Sequence, residues 1–160
     1  MPRKAPLKRK YDSARRKEQA RQTRLQIAEA ARKLFLERGY AGATIEAIAQ
    51  EAGVAPETIY ATFKNKHRLL AFLLDISLGG DDQPVRLLDR PDPQAVLEQS
   101  DQRQQLDGFS HDMADILGRA APVLEIMRLA AKTEPEIARR VKRLLKERLQ
   151  NLTEFVSHVA

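Results

Sequence analysis

The chain has 160 residues, no cysteine, 31% charged residues and a formal net charge of +6. That length holds one medium domain or two small ones and is enough to bury a substantial core. The missing cysteines exclude disulfides and thiolate metal sites, which fits a reducing cytoplasm, and the longest apolar run, Leu69 to Leu74, is far too short to span a membrane.

The charge is uneven. Residues 1–68 carry sixteen Lys/Arg against seven Asp/Glu, a net +9, and residues 69–160 carry twelve against fifteen, a net −3. A basic N-terminal part on a mildly acidic remainder suggests a polyanion-binding module joined to something else. Residues 1–12, with Arg3, Lys4, Lys8, Arg9 and Lys10, have too little apolar content to pack and are expected to form a disordered basic arm. No long apolar stretch follows the arm, so it does not read as a secretory signal.

From Ser13 to Arg38 the spacing predicts one long helix. Ile27, Ala30, Ala31, Leu34 and Phe35 form its apolar stripe. Arg15, Arg16, Lys17, Arg21 and Arg24 lie on its first turns, and Gly39 is suited to a left-handed stop. Thr44 is a candidate N-cap for a helix ending near Ala52, with Glu46 near its positive end. Gly53 can take the positive φ of a sharp turn. Pro56 fits the first position of the next helix. Ala49 is small enough for close approach, and Ile48, Val54 and Ile59 are placed to meet beneath the bend. Pro56, Glu57, Tyr60 and Lys64 are then free on the opposite face, and Lys64-Asn65-Lys66 can hold phosphate. Two short helices bent in this way set the second into a DNA major groove.

Helix resumes near Lys66 and ends at Gly79-Gly80. Residues 79–93 are rich in breakers and read as a connector. Helices are expected near 93–99, 101–118, 122–132 and 134–159, with Pro122 and Pro135 in first turns. Val141, Leu144, Leu145, Leu149, Leu152, Phe155 and Val156 form the last apolar stripe. No strand pattern is evident, so the fold class is all-α.

Ile27-Ala-Glu-Ala-Ala-Arg-Lys-Leu-Phe, Gly39-Tyr, Thr44-Ile, Ile48-Ala, Ala52-Gly-Val, Thr58-Ile-Tyr, Phe63-Lys-Asn-Lys and Leu69-Leu together resemble the DNA-binding domain of TetR-type transcriptional regulators. The resemblance covers about residues 21–81. It implies a helix-turn-helix domain over 13–81, with its motif at 44–63, and a helical ligand-binding and dimerisation domain over 82–160. It implies that Thr44 contacts phosphate, that Pro56 and Glu57 face base edges, and that Thr58, Tyr60 and Lys66 hold the backbone. Ala55, Thr62, Lys64, Arg15, Arg16, Arg21 and Arg24 complete the candidate DNA-binding set. Ala55 departs from the family, where a hydroxyl residue is common.

Three of these positions carry two readings. Glu57 either accepts from a cytosine N4–H or complements its helix dipole. Tyr60 either touches DNA or supports the next helix. The arm either enters a minor groove or acts as an electrostatic tether.

The function implied is a sequence-specific regulator, a repressor released from a near-palindromic double-stranded operator by a small-molecule effector. It would act as a cytoplasmic homodimer, with no cofactor and no membrane partner. Phe109, Met113, Leu117, Ile126, Met127 and Leu129 are candidates for the effector pocket, against ordinary core packing. Family members usually run longer, so the chain, stopping at Ala160, is expected to be incomplete at its C-terminus. The alternatives are a nonspecific basic nucleic-acid-binding protein or a regulator fragment without effector response. An enzyme is not favoured, since neither an activated serine nor a glycine-rich phosphate loop is seen. Asp107, His111 and Asp115 share one helical face and suggest either a divalent metal or a solvated surface. No metal is assigned.

Overall fold

Long straight-chain residues and alanines dominate the first forty positions, and these lose little freedom in a helix. They form α1 (Lys8–Gly42), interrupted at Gly39, whose φ of 69° and ψ of 175° are not helical. The computed structural model describes residues 8–159, with side chains from residue 13 onward. The expected arm therefore needs correcting at its end: residues 8–12 belong to α1, because Lys and Arg are good helix formers. Residues 1–7 of that arm, with Arg3 and Lys4, lie outside the described residues.

Then follow α2 (Ile45–Ala52), α3 (Pro56–Phe63), α4 (Lys66–Gly79), a 3-10 turn (Leu87–Asp89), α5 (Pro91–Leu97), α6 (Gln102–Ala130) and α7 (Pro135–Val159). Among the described residues there is no strand, and the fold is all-helical.

Two expected boundaries shift. The fifth helix begins at Pro91 rather than 93, since both prolines fit a first turn, where backbone donors have no helical acceptor. The segments expected at 101–118 and 122–132 are one helix, α6, with Pro122 inside it. An internal proline costs about 3 kcal/mol. Burial of Ala120, Val123, Ile126, Met127 and Ala130 around it offsets that cost. Gly118, which loses its carbonyl's usual partner to Pro122, is exposed.

The stripe on α1 is the floor of the molecule. Ile27, Ala31, Leu34 and Phe35 are almost fully buried, as are Ile48 on α2, Ile59 and Phe63 on α3, and Leu69, Leu70, Leu73 and Leu74 on α4. Val123, Met127 and Ile137 belong to the same cluster. The core thus runs without a break from the N-terminal helices into α6 and the start of α7. Outside this core, α5, α6 and α7 splay from the C-terminal end of α4 and leave a large cavity between them.

Candidate nucleic-acid interface and internal cavity

The bend between α2 and α3 is fixed by its ends. Thr44 caps α2, its hydroxyl oxygen accepting from Ala47 N–H at 3.1 Å. Gly53 closes it in the left-handed conformation (φ 65°, ψ 32°), where any Cβ is disfavoured. Val54 N–H then donates to the Ala49 carbonyl at 3.0 Å. α2 is clamped to α1 by Lys33–Glu51 at 2.7 Å and by Gln26, which donates to the Ala52 carbonyl at 2.7 Å.

α3 starts at Ala55, which supplies no side-chain cap, and Pro56 has no N–H to satisfy. Its inner face, Ile59 and Phe63, is buried. Its outer face carries Glu57, Tyr60, Ala61 and Lys64, all exposed and spaced i, i+3, i+4, i+7. Tyr60 is 47% exposed and so offers an amphipathic ring to a partner. Thr62 donates to the Thr58 carbonyl at 2.7 Å, which leaves its lone pairs free to accept. Ala61 was not singled out from the sequence. Its signal was the four-residue step from Glu57, and a methyl there suits a thymine methyl.

Lys64, at the end of α3, holds φ 69° and ψ −37° and is the non-glycine residue with positive φ among those described. Asn65 caps α4 by accepting from Arg68 N–H at 3.0 Å. Lys66 turns inward. Its ammonium donates to the Tyr40 carbonyl at 2.8 Å and lies 4.2 Å from the Tyr40 ring centre. Burial lowers its pKa, against the opposing pull of Glu134. Burial, with Glu134 adding to it, pushes the Tyr40 hydroxyl up to about 12.

The arginines on α1 divide. Arg15 and Arg16 are exposed near its start. Arg21 makes two hydrogen bonds to Asp82, at 2.7 and 2.9 Å, and meets Glu18 at 3.3 Å. Arg24 lies 4.1 Å from the Phe72 ring centre and 5.6 Å from that of Phe63. The side chains of Arg21 and Arg24 brace α1 on the connector and α4. Ala55, Pro56, Glu57, Thr58, Tyr60, Thr62 and Lys64 lie on α3 or at its two ends, and Thr44 lies at the start of α2.

The cavity measures about 1,090 Å³ and lies between the C-terminal half of α4, the connector and α5 to α7. Phe109, Met113 and Leu117 line it. Phe109 stacks on Phe155 with ring centres 4.1 Å apart. Ile126 and Met127 instead lie in the core shared with α1 and α4, and Leu129 is half-exposed on the surface. Because α6 runs through Pro122 unbroken, residues 113, 117, 124 and 128 keep one phase toward the cavity while 123, 127 and 130 turn to the core.

Sequence reading missed the charges in that wall. Arg140 on α7 binds Asp75 of α4 at 2.6 Å and Glu147 at 3.3 Å. Burial works against its charge, but the two carboxylates outweigh it and raise its pKa. Arg90 lies against Gly79, where a Cβ would come within 2.5 Å of its guanidinium, and its Nε is buried without a hydrogen-bond partner. Arg90 also binds Asp81 at 3.0 Å. Sixty-five residues separate Asp75 from Arg140, so no local pattern linked them.

On the α6 face considered for a metal, His111 and Asp115 stand 3.7 Å apart and are both well exposed. Among the described residues no three His, Cys, Asp or Glu side chains converge as metal ligands. No helix among those residues is long and apolar enough to cross a membrane.

Comparison with known proteins returns to the same segment. Residues 27–72 match the family model of bacterial regulatory proteins, tetR family. Over 61 residues the chain is 49% identical to the HTH-type transcriptional regulator TtgR of Pseudomonas putida, covering 38% of this chain and 29% of that protein. It is 41% identical over 61 residues to the fatty acid metabolism regulator protein of Bacillus subtilis, covering 38% and 31%. Over 141 residues it is 29% identical to the HTH-type transcriptional regulator UidR of Escherichia coli, covering 87% and 65%. The matched segment spans less than a third of the length of the first two relatives. The capped α2–turn–α3 unit and the core beneath it thus coincide with the segment, residues 27–72, that matches the tetR family of bacterial regulatory proteins.

Proposed function

We propose that the chain is a sequence-specific DNA-binding transcriptional regulator, a repressor released from its operator by a small molecule held in the cavity between α4 and α7. The observation that carries this reading is the outer face of α3. Glu57, Tyr60, Ala61 and Lys64 stand exposed on a helix whose opposite face is anchored in the core. A helix so presented enters a major groove, and side chains on its outer face reach base edges. Thr44 and Lys64, with Arg15 and Arg16 at the start of α1, are placed for phosphate contacts that fix orientation. Arg21 and Arg24 contribute by bracing α1, and Lys66 by fixing the start of α4 on Tyr40.

One such unit reads few base pairs, so the protein acts as a homodimer on a near-palindromic site, with half-sites about 34–36 Å apart. Leu145, Leu149 and Val156 support this, forming an exposed apolar stripe along α7 at 60, 66 and 60% exposure. Residues 13–81 form the reading part and residues 82–160 the sensing and pairing part. The protein works in the cytoplasm and does not act as an enzyme.

Selection of bound sites from random duplex DNA tests the proposal. Enrichment of an inverted repeat with that spacing is the expected result. Binding that an excess of unrelated DNA removes as readily as the selected site refutes it, because specific complexes are typically at least about 10³ tighter.

A further inference from the structure

We propose that the molecule held in the cavity is an apolar organic anion, whose single carboxylate takes Arg140 from Asp75 and so loosens the tie between α4 and α7. The inference rests on reading the cavity as the effector site and adds the chemistry of the effector and the contact through which it acts.

The sign of the ligand follows from which partner of each ion pair lies deeper. The Arg140 side chain is 20% exposed, while Asp75 and Glu147 are 55% and 48% exposed. Arg90 repeats the pattern at 13%, against 48% for Asp81. In both pairs the cation is sunk in the wall and the carboxylate stands toward water. An entering anion can replace Asp75 on Arg140, and Asp75 then returns to solvent at small cost. An entering cation must win Asp75 instead and leave a largely covered guanidinium with only the longer contact to Glu147, which is costly. Arg90 adds a buried Nε with no acceptor, and the lining carries five arginines against four acidic residues.

The body of the ligand follows from the rest of the lining. Leu78, Val96, Met113, Leu117, Leu124 and Leu144 face the cavity from four helices and offer no hydrogen bonds from their side chains. A volume of about 1,090 Å³ lies just above the usual range for small-molecule pockets, about 300–1,000 Å³. An extended chain or a fused-ring body carrying one carboxylate fits both features.

The coupling is equally local. Asp75 lies on α4, the helix that follows α3 after Lys64 and Asn65. Arg140 holds α4 to α7, and Arg119 of α6 reaches the Ser77 carbonyl at 3.4 Å. Exchange at Arg140 removes the stronger of these two ties and changes where α4, and with it α3, can rest. A ligand shifts such an equilibrium only by binding one arrangement better than the other.

The test titrates dodecanoate, dodecan-1-ol and dodecylamine, each below its micelle concentration, into the 160-residue chain by calorimetry, using wild type, Arg140→Gln and Asp75→Asn. Dodecanoate is expected to bind wild type at least about tenfold more tightly than the alcohol or the amine, as one charged hydrogen-bonded contact warrants. Arg140→Gln should abolish that preference while leaving dodecan-1-ol unchanged, a pattern that general loosening of the fold does not produce. Asp75→Asn, which removes the competitor, should strengthen dodecanoate binding. The proposal is overturned if the alcohol or amine binds as well as dodecanoate, if none of the three binds, or if Asp75→Asn weakens the carboxylate or leaves it unchanged. Asp75→Asn decides the matter even where Arg140→Gln fails to fold. In parallel, dodecanoate should release wild type from its selected DNA site. Retention on DNA by a chain that binds dodecanoate overturns the coupling, while failure to select any site strikes the regulator reading and leaves the calorimetric result on ligand class standing.

Discussion

Replacing Lys64 by glycine should make the protein more stable and a weaker DNA binder. At φ 69° and ψ −37° Lys64 sits where a Cβ is crowded by the backbone, and its N–H is held to the Tyr60 carbonyl at 2.8 Å. A positive-φ conformation costs an L-residue about 1–2 kcal/mol. Glycine escapes that cost but gives back about 0.4–1 kcal/mol through the larger freedom of its unfolded chain. The net gain is roughly 0–1.6 kcal/mol, or up to about 6 °C in Tm for a chain of this size. Lys64→Gln is the control, since it keeps the strain and drops the charge. If Lys64 meets phosphate, both variants lower the magnitude of the log–log salt slope by about 0.9 per subunit, about 1.8 for a dimer. The affinity lost between about 50 and 200 mM salt then shrinks by about tenfold. Thermal melts and fluorescence anisotropy on the selected site measure the two effects separately. A destabilised Lys64→Gly protein refutes the strain account, and an unchanged salt slope in Lys64→Gln refutes the phosphate contact.

Ala55→Ser should add the cap that α3 lacks and stabilise the fold by about 1 kcal/mol, while Thr44→Ala should cost a similar amount; urea unfolding of both variants checks the pair. Tyr40 ionises near 10 when unfolded and near 12 when folded, so the unfolded chain sheds this proton first and the stability it contributes falls as pH rises from about 10 to about 12. The lowered Lys66 pKa acts in the opposite sense, its penalty easing as pH rises toward 10.5. The stability difference between wild type and Tyr40→Phe should therefore drop across that interval, and a difference independent of pH there excludes the burial account. Leu149→Glu, in the middle of the α7 stripe, should convert a dimer to a monomer in sedimentation without lowering the stability of the subunit itself by more than about 0.5 kcal/mol, because Leu149 is largely exposed.

The N-terminal part was legible because its constraints are local. Thr44, Gly53 and Pro56 each do at a helix end what their covalent structure suits them to do, and the stripe from Ile27 to Phe35 has a clear period. The same locality misled at Pro122, where a breaker's ordinary preference gave way to the buried residues around it. Nor did it show that Lys66 reaches the carbonyl of Tyr40, twenty-six residues earlier. The cavity was half legible. Phe109, Met113 and Leu117 face it, but phase beyond residue 122 required knowing that α6 is continuous. Charge pairing between Asp75 and Arg140 was out of reach, since it depends on how α4 and α7 cross.

The unbroken core has a consequence for anyone wishing to graft this reading head onto a different sensor. Cutting after α4 would strip Ala120, Val123, Met127 and Ala130 from the core they share with Ile27, Leu70 and Leu74, baring an oily surface that invites aggregation. A working hybrid has to import the middle of α6 along with the head, or rebuild four matching side chains on the recipient's own helix. The natural seam for exchange therefore lies not in the breaker-rich connector but farther along, beyond Ile137.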